Sequence, residues 1–263
     1  MKIRIAFNGI LGKMGRSIST GLAADPDFEI CAGYDPGADR LILKDGLMIG
    51  GICVRLCESM EELFNCRPEA VIDFSNRTAF LELIRTASKQ KVNLVIGTTG
   101  LSDEDLNLAK QLVNKSGISA IIAPNFSIGA VLMMKFASIA SDYLSGCEII
   151  ELHHNQKIDA PSGTAIKTAG VIKNSLKSMQ RLRKNEFEKY EGARGAIVNG
   201  IHVHSVRLPG LLAHQEVIMG AQGQTLTIRH DTFDRSAYLP GVILALKKLD
   251  DIKGLIYGLE NLI

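Results

Sequence analysis

The sequence predicts an α/β fold with two dissimilar halves. Three observations carry that prediction. Short apolar runs alternate with helical spacings over roughly the first half, strand-like runs follow one another through tight turns in the second, and a glycine-rich turn follows the first run directly. Strand and helix in alternation imply a parallel sheet with helices on both faces. Consecutive strands with short links imply a mixed or antiparallel sheet, here an open mixed sheet in an α+β domain.

Residues 3–7 form the first apolar run, and Met14, Ile18 and Leu22 give residues 13–24 helical spacing. Strands are expected at 28–32, 71–74, 94–96 and 118–123, with a helix at 78–90. Ser102 precedes Asp103, Glu104 and Asp105, a capping hydroxyl with acids in the first helical turn. The uncharged run between Lys115 and Lys135 is broken by Pro124, Asn125 and Ser127, so it reads as strand, loop and helix start, not a membrane span. In the second half, strands are expected at 147–152, 201–207, 215–219 and 224–229, and a helix at 162–177. Residues 173–194, rich in Lys, Arg and Glu, read as a solvated connection.

Composition narrows the function. Against 30 Lys and Arg stand 28 Asp and Glu, and a net charge of +2 over 263 residues is not that of a general nucleic-acid binder. The opening MKIRIAFNGI reads as a strand and not as a secretion signal, and the five cysteines show no CxxC spacing. Reduced thiols and a cytoplasmic setting are therefore expected, with no membrane partner. His202 and His204 lie two apart on one strand without a third ligand nearby, so no metal site is expected.

Gly9, Gly12 and Gly15 stand in the turn after the first strand. There a dinucleotide's pyrophosphate meets the free N–H groups and positive dipole end of a helix. The spacing is GxxGxxG, with Leu11 at the middle position of the stricter GxGxxG pattern, and a plain tight turn is the competing reading. Asp35 follows the second strand, 20 residues after Gly15, where a carboxylate can bind the ribose hydroxyls of NAD. Its charge would repel a 2′-phosphate, and Pro36 stands where an Arg could compensate, so NADH is favoured. Lys13 and Arg16 keep NADPH open.

The stretch ELHHNQKIDAPSGTA at 151–165 holds a second constellation. His153 and Lys157 are candidate proton donors or relays near neutral pH. Ser162, Gly163 and Thr164 open a helix whose free N–H groups, with two hydroxyls, would hold a carboxylate, and Lys157 adds a point charge. A surface loop whose histidines merely end a strand is the competing reading. Arg207 and His214 are candidates for the substrate side of the sheet, while Arg229, His230, Asp231 and Arg235 read as a packed polar network.

That stretch resembles the signature of the dihydrodipicolinate reductase family, and the resemblance spans nearly the whole chain. GILGKMGR at 9–16, VIDFS at 71–75, VIGTTG at 95–100, APNFSIG at 123–129, SVRLPGLLAHQEVIMG at 205–220 and LTIRHDTFDRSAYLPGV at 226–242 carry it in order. The resemblance implies an NAD(P)H-dependent reductase of diaminopimelate and lysine biosynthesis, acting on a cyclic dicarboxylate. By position, His153 matches the family's proton donor or acceptor and Lys157 its proton donor. His154 matches a substrate contact, and Gly163 and Thr164 match the grip on a substrate carboxylate. Gly9, Ile10, Leu11, Gly12, Lys13, Met14, Asp35, Phe74, Ser75, Gly97, Thr98, Thr99, Ala123, Pro124, Asn125 and Phe126 match cofactor positions. Pro36 and Asn76 depart from an Arg seen in some members.

The fold implied is a Rossmann-type dinucleotide-binding domain at 1–124 and 233–263. A substrate-binding and tetramerisation domain at 125–232 is inserted in it, with a ligand cleft between them and a homotetramer built through the second sheet. Two other readings compete: another nicotinamide dehydrogenase on this scaffold, which a catalytic Cys would favour, and a non-catalytic NAD(H) sensor, which need not keep His153 with Lys157.

Overall fold

The computed structural model describes residues 2–38, 44–175 and 187–263. The chain divides into two compact units, Met1–Ile128 with Arg235–Ile263, and Gly129–Asp234. In chain order the first unit runs β1 (Ile3–Asn8), α1 (Lys13–Ala23), β2 (Phe28–Tyr34), β3 (Leu47–Ile49), β4 (Ile52–Val54), β5 (Leu56–Cys57), α2 (Met60–Asn65), β6 (Ala70–Asp73), α3 (Arg77–Gln90), β7 (Asn93–Ile96), α4 (Asp103–Ser116) and β8 (Ser119–Ile122). There follow α5 (Ile128–Ala140), β9 (Gly146–His153), α6 (Gly163–Ser175), β10 (Ala196–Val198), β11 (Ile201–Arg207), β12 (Ala213–Ala221) and β13 (Gln224–Thr232). The chain then returns to the first unit through a 3₁₀ turn (Arg235–Tyr238), α7 (Leu239–Lys248) and β14 (Gly254–Tyr257).

Seven strands of the first unit form one sheet in the order β14-β8-β7-β6-β1-β2-β5, with every pairing parallel. β6 and β8 are buried along their whole length, as strands covered on both faces must be. Local chemistry sets the helix starts. Asn76 Oδ1 accepts from the Ala79 N–H at the head of α3. At α4 the expected cap is present, Ser102 Oγ accepting from the Asp105 N–H at 3.2 Å while Asp105 accepts from the Ser102 N–H. The Arg77 guanidinium grips the same Asp105 carboxylate at 2.6 and 2.8 Å, joining α3 to α4. At Gly241 in α7 a side chain would collide with the Phe126 carbonyl oxygen, so the returning helix seats directly on the 123–126 loop.

The second unit holds a five-stranded sheet, β10-β11-β9-β12-β13. β9 and β11 run parallel while the other pairs are antiparallel, the mixed sheet that was expected. Cys147, Ile149 and Glu151 are buried on one face of β9, and Glu148, Ile150 and Leu152 are half-buried on the other. Several short elements go beyond the sequence reading: the β3–β4 hairpin, β5, α2, β10 and β14. β9 and β12 also extend further than expected, and the last two residues of the expected 162–177 helix lie outside the described residues. So do residues 176–186 of the expected connection. Among the described residues no helix is long and apolar enough to cross a membrane.

Candidate active site

In the first unit the sheet register aligns the carboxyl ends of four strands. Asn8 pairs with Asp73, Asp73 with Ile96, and Ile96 with Ile122. β1 lies between β2 and β6, so the chain proceeds to one side of it and then crosses to the other. Ligands of open α/β sheets bind outside the strand ends at such a reversal. A cavity of about 310 Å³ opens there, lined by Met14, Phe74 and Ser75, Gly97 to Thr99, Ala123 to Phe126, and Tyr238. All of these but Tyr238 are positions expected from the sequence. Tyr238 arrives from the far end of the chain, and no local pattern marks it.

The glycine turn is built for close approach. Gly9 has φ 82°, and a Cβ on it would lie 2.6 Å from the Phe74 carbonyl oxygen; a Cβ on Gly15 would collide with the Gly9 carbonyl oxygen. The first N–H groups of α1 have no acceptor inside their own helix, and with this bare turn they fit a dinucleotide phosphate. Asp35 lies where expected and is also part of the turn: Oδ2 accepts from the Leu11 N–H and Oδ1 from the Gly37 N–H, each at 2.9 Å. Ile10 is fully buried and packs over Gly33, so its side chain belongs to the core. Gly9, Leu11, Gly12 and Lys13 shape the turn without lining the cavity.

Beneath the cavity lies Asp73, which the sequence reading did not single out. Its carboxylate accepts from Asn8 Nδ2 at 2.9 Å, Thr98 Oγ1 at 2.8 Å, Ser75 Oγ at 2.5 Å and the Ser75 N–H at 3.2 Å. It thereby ties together the ends of β1, β6 and β7. Burial pushes its carboxyl up to about 6, against the pull of the Ser75, Thr98 and Asn8 hydrogen bonds. Phe74 and Phe126 meet edge to face, ring centres 5.8 Å apart, and fix two loops of the rim.

In the second unit the residues gather around a fully buried carboxylate, Glu151. Strand alternation puts Glu151 and His153 on one face of β9, and the register sets Arg207 of β11 beside His153. His153 Nδ1 is hydrogen-bonded to Glu151 Oε2. Arg207 forks onto Glu151 with bonds of 2.9 and 2.8 Å, and its Nη2 also donates to the Asp159 carbonyl at 2.7 Å. Asp159 in turn receives Lys157 Nζ on both carboxylate oxygens, at 2.7 and 2.9 Å. His153, Glu151, Arg207, Asp159 and Lys157 thus form one connected set. Burial alone would raise the Glu151 carboxyl, but hydrogen bonds from His153, Arg207 and Ser205 outweigh it and bring it down to about 2.

Ser162 caps α6, its Oγ accepting from the Ala165 N–H at 3.2 Å and its own N–H donating to Glu151 Oε1 at 3.3 Å. It is buried, so its hydroxyl serves the helix. Gly163 is exposed with open space where a Cβ would stand, and Thr164 follows it in the first turn. The His154 carbonyl accepts from the Lys157 N–H, while its buried Nδ1 has no partner among the described residues. Arg207 lies on the Glu151 face, but His214 does not. In β12 it is Gln215 that pairs with Glu151, so His214 faces the other way, bonded to Asp231 and edge-on to Phe233. Of the expected polar network, Arg229 and Asp231 interact with each other and with Glu216 and His214.

Comparison with known proteins supplies the family. Residues 3–126 match the family model described as dihydrodipicolinate reductase, N-terminus, and residues 129–263 the one described as dihydrodipicolinate reductase, C-terminus. The 4-hydroxy-tetrahydrodipicolinate reductase of Syntrophomonas wolfei is 45% identical over 263 residues, covering 100% of this chain and 99% of its own. That of Moorella thermoacetica is 47% identical, covering 99% and 98%. A dipicolinate-bound dihydrodipicolinate reductase from Paenisporosarcina sp. TG-14 superposes with a TM-score of 0.88 at 40% identity, covering 100% of both chains. A probable dehydrogenase from Thermotoga maritima, 12% identical, shares the fold at a TM-score of 0.66, covering 98% and 92%.

Proposed function

The chain belongs to the dihydrodipicolinate reductase family, and from that premise we propose how its own residues carry the family's NAD(P)H-dependent reaction in diaminopimelate and lysine biosynthesis. The reaction reduces the dehydrated form of 4-hydroxy-tetrahydrodipicolinate to tetrahydrodipicolinate. The observation that carries this assignment of residues is the connected set in the second unit. Glu151, Arg207 and Asp159 link His153 to Lys157 beside the open start of α6.

Bound at the glycine turn and the 310 Å³ cavity, the reduced nicotinamide supplies a hydride. This chain's residues then bind, orient and protonate. The Gly163 and Thr164 N–H groups at the helix start, with the Lys157 ammonium, hold a substrate carboxylate. His154 contacts the substrate. Electron density that builds on the ring is met by a proton from His153 or Lys157, which lowers the barrier. Among the described residues the Lys157 ammonium meets Asp159, whose side chain is 64% exposed; solvent on that side screens the pair, so Lys157 can exchange it for a substrate carboxylate.

NADH is the favoured reductant. Asp35 stands against the glycine turn, where its charge repels a 2′-phosphate, and Pro36 offers no compensating cation. The assembly assigned is a homotetramer formed through the five-stranded sheet, and the setting is the cytoplasm, where reduced nicotinamide is supplied.

The test follows NADH and NADPH oxidation with substrate generated in situ from pyruvate and aspartate semialdehyde by the preceding synthase. Turnover is expected with NADH at the higher kcat/KM. Absence of oxidation with either cofactor rejects the activity, and a strong NADPH preference rejects the role given to Asp35. His153→Ala and Lys157→Ala are each expected to lower kcat/KM by about 100-fold or more; normal turnover in both rejects the roles of these residues and leaves the family membership standing.

A further inference from the structure

Glu151 is the one acid that this site buries completely. A carboxylate is costly to bury unless its oxygens are paired, and each oxygen here is used at least twice. Oε1 takes Arg207 Nη2 at 2.8 Å and the Ser162 N–H at 3.3 Å. Oε2 takes Arg207 Nη1 at 2.9 Å and His153 Nδ1. Neutralising Arg207 would need only the first member of each pair. The other two contacts reach the functional elements, the ring of His153 and the head of α6.

The ring contact has a chemical consequence. An ionised carboxylate only accepts hydrogen bonds, so Nδ1 must carry its hydrogen whether the imidazole is neutral or charged. The proton that comes and goes is then the one on Nε2. No described residue bonds Nε2, and the His153 side chain retains 15% exposure. From this geometry we infer that Glu151 is the positioning residue of His153, fixing the ring as its Nδ1–H tautomer and presenting Nε2 as the proton-exchanging atom.

The inference rests on the role given to His153 above, but its first test does not. In the ligand-free protein, ¹⁵N NMR of the imidazole at a pH where it is neutral reads the tautomer directly. The wild-type ring is expected as Nδ1–H, and a wild-type ring protonated on Nε2 overturns the inference without any variant. In Glu151→Gln the side-chain amide can donate as well as accept, so the ring is expected to move to a mixture or to Nε2–H. With that change kcat is expected to fall about 100-fold, while NADH Kd stays within about threefold of wild type, since Glu151 does not line the cavity proposed for the cofactor. A kcat within twofold of wild type, or a lost kcat with the ring still Nδ1–H, overturns it. Should Glu151→Gln fail to fold, Arg207→Lys, which keeps the charge and Glu151, is expected to leave the tautomer unchanged; a tautomer that moves would assign the ring's orientation to Arg207 instead. If His153→Ala turns over normally, the catalytic reading of His153 fails while the tautomer measurement still decides what Glu151 does to the ring.

Discussion

Two buried carboxylates in this chain have opposite acid–base behaviour, and the difference lies in their partners. Asp73 has only neutral donors around it, so burial prevails and its carboxyl rises to about 6. Glu151 has an arginine fork and a histidine, and falls to about 2. The signs for stability follow. Asp73 has a folded pKa above the ordinary value of about 3.9, so the folded chain holds a proton that the unfolded chain has released. Stability therefore falls as pH rises from about 4 to about 6, by roughly 2–3 kcal/mol, and the deficit persists above that range. Glu151 has a depressed folded pKa; its contribution is present above about 4.3 and is lost as pH falls towards 2. Denaturant unfolding of wild type and Asp73→Asn across pH 4 to 7 isolates the first effect. The stability of wild type relative to the variant is expected to decline between pH 4 and 6, and a constant difference would show that Asp73 is already ionised throughout.

At the scale of elements, the helix starts were the most legible feature, because a cap is local chemistry. Ser102 followed by three acids marks the head of α4, and the structure adds the reciprocal bond from Asp105. Ser102→Ala is expected to cost about 1 kcal/mol in chemical denaturation, and a cost near zero would mean that the Arg77–Asp105 pair holds the helix head unaided. The parallel strands were legible for a similar reason: each is an apolar run cut off by glycine, proline or a capping residue. The short elements were not. β5 has two residues, and β4 and β10 expose most of theirs, so neither length nor alternation distinguishes them from loop. The cavity at the strand ends was legible in nearly all its lining because the residues lie in contiguous motifs. Glu151 was passed over because an acid inside a strand ordinarily faces water, and its arginine partner lies 56 residues away. His214 was placed on the wrong face because a strand's facing depends on register, which a single histidine in a sequence does not disclose.

For the whole molecule, a net charge of +2 means that attraction for the dicarboxylate proposed as substrate has to be local, and the proposed site draws it from the cations of the second unit. The same unit leaves surface that a single chain does not cover. β13 is a nine-residue edge strand, exposed over most of its length, and an edge of that kind is a template for pairing with another chain. On the sheet face away from Glu151, the half-buried Ile150, Leu152, Val206 and Ile218 lie among the ion pairs Glu148–His204, Glu216–Arg229 and His214–Asp231. Apolar side chains set between paired charges suit a self-complementary contact, in which the same patch serves both partners. Light scattering at micromolar concentration is expected to give the mass of four chains. Ile218→Asp places an unpaired charge in the middle of that face, and is expected to lower the mass while leaving NADH binding within about twofold, since the cavity proposed for the cofactor is lined wholly by the first unit. A wild-type chain that runs as a monomer would remove the assembly from the proposal. A variant that stays tetrameric would move the contact from this face to the β13 edge, where charged substitutions at Leu226 and Ile228 would test it in the same way.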